Sequence, residues 1–137
     1  MNPSTADTAE GPSDGSSMAD PAPRSAAAAR DKVGTLLQHI GIDLDSVTAA
    51  DALLVTSELV TNAIRHGGGI TAFRAEIADN VLCLSVSDMS PTVPAARTQS
   101  PEQPGGFGWP LIQHLTTSLD VREHPDGKTI TAVLRLA

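Results

Sequence analysis

Three side chains with chemical potential share one edge of a helical stretch. Glu58, Asn62 and His66 are spaced i, i+4 and i+8, and 3.6 residues per turn stack such positions above one another. Ala52, Leu53, Val55, Thr56, Leu59, Val60, Ala63 and Ile64 fill the other half of the circumference. A carboxylate, a carboxamide and an imidazole therefore line one edge, beside Ser57, Thr61 and Arg65. An Asn side-chain oxygen is a hard ligand suited to Mg²⁺. A Glu one turn away can take a proton from a nucleophile. Any amphipathic helix also has a solvated polar face, so spacing alone leaves both readings open.

Two further features sit downstream. Asp88 continues the face of Leu82, Leu84 and Val86 in an alternating run, so it points toward the core layer at a strand end. A carboxylate there needs a partner. That partner is either the backbone of the following turn or a ligand's amino group, such as the exocyclic N6 of adenine. Gly105-Gly106-Phe107-Gly108 then runs straight into a helix. Glycines let backbone approach a ligand, and a helix N-terminus offers free N–H groups to an anion. The cluster matches neither the Walker pattern nor the dinucleotide-binding fingerprint, and no strand immediately precedes it.

The elements that must position these residues can be read from periodicity. A first helix is expected over Ala26–Ile40, with Ala29, Val33, Leu36, Leu37 and Ile40 on one side and Gly41 closing it. The second, stronger helix runs from about Ser46 to His66 and stops at Gly67-Gly68-Gly69. Thr71, Phe73, Ala75 and Ile77 alternate with polar neighbours, Asp79-Asn80 is a turn, and Val81–Asp88 alternates again. That pattern is a β-hairpin. A short helix with Pro110 in its first turn carries Leu111, Ile112 and Leu115. A second hairpin pairs Leu119–Glu123 with Thr129–Leu136 around His124-Pro125-Asp126-Gly127. Consecutive strands joined by tight turns imply antiparallel pairing. The expected fold is α+β: a two-layer α/β sandwich with a mostly antiparallel sheet covered on one face by about three helices.

Composition narrows the function. The chain has 137 residues, 9 Lys and Arg against 16 Asp and Glu, and a net charge of -7. It lacks the basic footprint of a duplex-DNA binder. Two Phe, one Trp and no Tyr make a poor base-stacking platform. One Cys excludes an internal disulfide and any cysteine-only metal site; Cys83 itself falls on the strand face opposite Leu82 and Leu84. His39, His114 and His124 have no metal-ligand spacing, and Trp109 reads as a packing residue. No apolar run approaches the roughly 20 residues of a membrane span, and no secretory signal is visible. A cytoplasmic protein is expected. Of its 11 Gly and 10 Pro, five Gly and eight Pro fall in two regions. Residues 1–25 read as a disordered Ser/Ala/Pro/Gly-rich tail. Residues 89–108 form a long Pro- and Gly-rich loop, and such loops are uncommon in small domains unless functional or disordered.

Taken in order, three stretches resemble the ATP-binding boxes of the GHKL superfamily, which includes gyrase, histidine-kinase and MutL ATPase domains. They are Ser57-Glu58-Leu59-Val60-Thr61-Asn62-Ala63-Ile64-Arg65-His66, Val86-Ser87-Asp88-Met89-Ser90-Pro91 and Gly105-Gly106-Phe107-Gly108-Trp109-Pro110-Leu111-Ile112. In size and wording the chain is most similar to the anti-sigma-factor serine kinase branch. The resemblance covers residues 26–137 and implies the Bergerat ATP-binding fold, with a lid at about 90–106.

The resemblance also implies roles. Glu58 would be the general base, and Asn62 would hold Mg²⁺ against the phosphates of ATP. His66, Met89, Gly106, Phe107, Gly108 and Leu111 would line the nucleotide, and Asp88 would accept from the adenine amino group. Thr129 would help hold adenine, and Arg30 resembles an arginine that some members use near the phosphates. The departures are Ser90 where the family often has glycine, Lys128 ahead of Thr129 after Gly127, and no apolar run to supply a strand before the first helix. The implied function is an ATP·Mg²⁺-dependent serine-protein kinase that acts on a small antagonist protein and sequesters a sigma factor, with a homodimer among the expected assemblies. A nucleotide-binding interaction module, whose lid tunes partner binding without useful transfer, is the alternative. A relic that binds no nucleotide is the third reading.

Overall fold

The structure, a computed structural model, describes residues 22–90 and 108–136. Most of the expected tail, the expected lid beyond Ser90, and Gly106 and Phe107 lie outside the described residues.

The first helix, α1, spans Ala26–His39. Four alanines in its first turn favour the helix. Ser25 caps it, accepting the Ala28 N–H at 3.1 Å. It ends in a Schellman motif: Gly41 N–H donates to Gln38 O at 3.0 Å and Ile42 N–H to Leu37 O at 2.9 Å. Gly41 takes φ 87°, the left-handed conformation that closure requires. Ile40, expected on the buried side, is 43% exposed; the helix has already ended there, so its face no longer follows the helical period.

The second helix, α2, spans Val47–His66 behind the cap Ser46. Its length and hydropathy would suit a membrane span, contrary to the expectation that no run came close. Its apolar side is the core of the domain, with Val55, Leu59, Val60 and Ala63 buried.

Four strands follow the same chain order as the sequence pattern: β1 (Ile70–Ala78), β2 (Val81–Asp88), β3 (Ser118–His124) and β4 (Gly127–Arg135), with α3 (Gly108–Leu115) between β2 and β3. The sheet order is β1-β2-β4-β3, and every pair is antiparallel. Asp79 and Asn80, at φ 54° and 62°, make the β1–β2 turn. Positive φ at both positions gives the turn the twist a two-residue hairpin needs.

Register then decides which side chains face the helices. Leu82, Leu84 and Val86 of β2 stand opposite Leu134, Ala132 and Ile130 of β4. All six are buried. Val33 and Leu37 of α1, Val55, Leu59 and Val60 of α2, and Ile112 of α3 complete this core. Cys83, Ser85 and Ser87 turn to the other face, opposite Val133, Thr131 and Thr129. The described residues form the expected two-layer α+β sandwich: three helices and a four-stranded antiparallel sheet.

Candidate functional site

The end of β2 brings Asp88 to the junction of α2, β4 and the segment that follows β2. Asp88 is 3% exposed. Strand alternation carries it to the helix side of the sheet, as the sequence pattern requires. Its Oδ1 accepts the Ser90 N–H at 2.9 Å. The carboxylate therefore caps the next turn, the first of the two partners that sequence left open, and is buried at the same time.

Backbone packs closely around it. Gly67, which ends α2, has its carbonyl bonded to Met89 N–H at 2.9 Å. A Cβ at Gly67 would collide with Cγ and Oδ2 of Asp88 and lie 2.6 Å from its Cβ. A Cβ at Gly127 would overlap the Asp88 carbonyl oxygen and lie 2.8 Å from Met89 Cα, and Gly127 sits at φ 143°. Both glycines are therefore required by close approach.

The partner of Asp88 is Lys128. The two are register partners across β2 and β4. Lys128 Nζ donates to Oδ1 at 3.0 Å and to Oδ2 at 2.9 Å. It also donates to Ser90 O at 3.1 Å. The lysine is 1% exposed. Removing one member of such a pair typically costs about 3–5 kcal/mol, because the other charge stays buried. Sequence reasoning noted Lys128 only as a departure from a pattern. The signal that places it was available: counting back by two from Ile130 puts residue 128 on the inward face, by the same parity that places Asp88.

The second pole lies on α2. Glu58 is 5% exposed, although the wheel places it on a polar edge. The start of α3 covers it: Gly108 N–H donates to Glu58 Oε1 at 3.4 Å, across fifty residues of sequence. Burial pushes the Glu58 carboxyl above its ordinary value of 4.5; the Gly108 N–H and the charge of Arg65 pull partly back. A raised carboxyl suits proton acceptance. Asn62 and His66 follow one and two turns along, both half-buried. Arg30 of α1 reaches across to the neighbouring residue, its Nη1 donating to Ser57 Oγ at 2.9 Å, and so ties α1 to α2 next to Glu58.

The remaining expected residues divide. Gly108, at φ 69°, opens α3, and Leu111 is half-buried on that helix. Met89 is 56% exposed and lies beside Gly68. Thr129 stands apart. It is on the outer face of the sheet, its hydroxyl 2.7 Å from Ser87 Oγ and 3.2 Å from His124 Nε2. The structure brings Glu58, Gly108 and Asp88 onto the helix side of the sheet and leaves Thr129 on the other.

The arrangement places a buried carboxylate paired with Lys128 at one end and a second buried carboxylate beside a helix N-terminus at the other. Among the described residues no group of three His, Cys, Asp or Glu could hold a metal ion. A divalent ion here would rest on Asn62 and on the phosphates it accompanies.

No curated protein sequence matches the chain significantly. Solved structures do match in fold. The crystal structure of the RsbU and RsbW domains of Rv1364c from Mycobacterium tuberculosis has a TM-score of 0.60 at 24% identity, over 84% of this chain and 29% of that one. The blue-light activated histidine kinase EL346 of Erythrobacter litoralis has a TM-score of 0.51 at 20% identity, over 77% of this chain and 40% of that one. This chain thus spans less than half the length of either. Residues 19–134 match the family described as histidine kinase-like ATPase domain. With its three sequence boxes on α2, the end of β2 and the start of α3, the chain belongs to the histidine kinase-like ATPase domain family.

Proposed function

We propose that this protein is a cytoplasmic ATP·Mg²⁺-binding regulator that phosphorylates a serine of a small antagonist protein and sequesters a sigma factor when that antagonist is absent. The observation that carries the reading is Glu58, a buried carboxylate raised above its ordinary value and held against the first N–H of α3. Phosphoryl transfer needs positioning and charge stabilisation more than covalent chemistry. Glu58 would accept the proton of the attacking serine hydroxyl. The N-terminus of α3, whose first N–H meets Glu58, would face the phosphates. Asn62 supplies a hard oxygen for Mg²⁺, which when bound neutralises charge on the phosphates.

The departure at Ser90, where the family often has glycine, favours a second reading: a module whose bound nucleotide tunes partner affinity without useful transfer. Transfer of radiolabel from ATP·Mg²⁺ to a co-purified partner separates the two. Glu58→Ala is expected to lower transfer about 10²–10⁴-fold while ATP still raises the melting temperature. Wild-type protein that is stabilised by ATP yet labels no partner would favour the module. No stabilisation at millimolar ATP would overturn both readings.

A further inference from the structure

The Asp88 carboxylate, which the resemblance assigns to the amino group of adenine, is already filled by a side chain of the protein. Asp88 is 3% exposed and Lys128 is 1% exposed, so no ligand reaches the carboxylate while the pair is closed. An ammonium group has three protons. All three acceptors are accounted for: Asp88 Oδ1, Asp88 Oδ2 and Ser90 O, at 3.0, 2.9 and 3.1 Å. A saturated ammonium cannot also donate to a base. It can only compete for the same carboxylate.

We propose that Lys128 is an internal competitor that sets both affinity and base preference at this site. This rests on the reading of Asp88 as the acceptor for the base. Its ammonium stands where the amino group of a 6-aminopurine would donate, and nucleotide binding requires it to swing away. The four-carbon stem of lysine allows that movement. On the other sides Gly67 and Gly127 bring backbone against Asp88 so closely that neither has room for a Cβ. Apparent affinity falls by the fraction of molecules with the carboxylate uncovered. The protein thereby responds to nucleotide only at high concentration, and binding couples to a rearrangement of Ser90, whose carbonyl loses a donor.

The test is nucleotide titration of the full chain in excess Mg²⁺, comparing wild type with Lys128→Met. The Met variant keeps a long stem and removes the charge. It should bind ATP about tenfold tighter or more, the result if roughly one wild-type molecule in ten is open. It should also widen the preference for ATP over inosine triphosphate, which carries a carbonyl in place of the amino group. Its nucleotide-free melting temperature should fall and recover with ATP. Lys128→Gln, which can still donate to Asp88, should fall between the two and serves if the Met variant does not fold. Wild-type binding of ATP with equal or weaker binding by both variants would overturn the competitor and leave the base site standing. Failure of every form to bind nucleotide would overturn the base site itself, and the competitor with it.

Discussion

Gly67 and Asp88 meet with no room for a methyl group between them. A Cβ on Gly67 would strike the Asp88 carboxyl group, while the φ of -106° at Gly67 is open to any residue. The constraint is steric rather than conformational. Gly67→Ala should therefore push Asp88 off its position and destabilise the fold by about 1–3 kcal/mol. ATP affinity should drop with it, more than about tenfold if Asp88 holds the base. Gly34 on α1 is the contrast: its nearest outside atom to a Cβ is Leu44 Cδ1 at 3.9 Å, and Gly34→Ala should stabilise by roughly 0.5–1 kcal/mol. Urea denaturation and ATP titration of the two variants check both expectations.

Burial of Glu58 makes stability depend on pH. Its carboxyl is raised in the folded state, so the native protein holds that proton more tightly than the unfolded chain does. The corresponding stabilisation is complete below the unfolded value and is lost as pH rises through the folded one. Glu58→Gln imitates the protonated side chain. It should melt higher than wild type near pH 7.5, by a few degrees, and the two curves should converge near pH 4. Transfer activity should show the opposite dependence, failing on the acid side above the ordinary Glu range because the base must be ionised. Melting curves across this range, with Arg65 unchanged, provide the measurement.

Thr129 offers a test of face. It bonds Ser87 and His124 on the outer side of the sheet, away from Asp88. Thr129→Val should cost about 0.5–1.5 kcal/mol for the lost hydroxyl contacts and leave ATP affinity within about twofold. A tenfold loss of affinity by isothermal titration would show that the hydroxyl reaches the nucleotide after all.

Much of this architecture was legible because periodicity was strong. Leu82, Leu84 and Val86 fixed the inward face of β2, and with it the direction of Asp88. The same alternation on β4 pointed Lys128 inward, but lysines are mostly exposed, and a charge at a strand end reads as surface. Its partner becomes visible only when β2 and β4 are paired. Glu58 shows the other limit. A helical wheel places it on a polar edge, but its burial depends on α3, fifty residues away. The close approach of Gly67 to Asp88 is likewise a contact between elements, and a glycine at a helix end looks the same from sequence whether or not a carboxylate lies against it.

The pairing of β2 with β4 also locks the surroundings of Asp88 to the apolar interior. Sliding β4 by one residue would exchange Lys128 for Gly127 or Thr129 beside Asp88. The same slip would turn Ile130, Ala132 and Leu134 out to the solvent side. Loop insertions or deletions at the β3–β4 hairpin therefore have no gentle route to a new inward-facing group there. Substitution at position 128 itself changes what the carboxylate meets without disturbing that register.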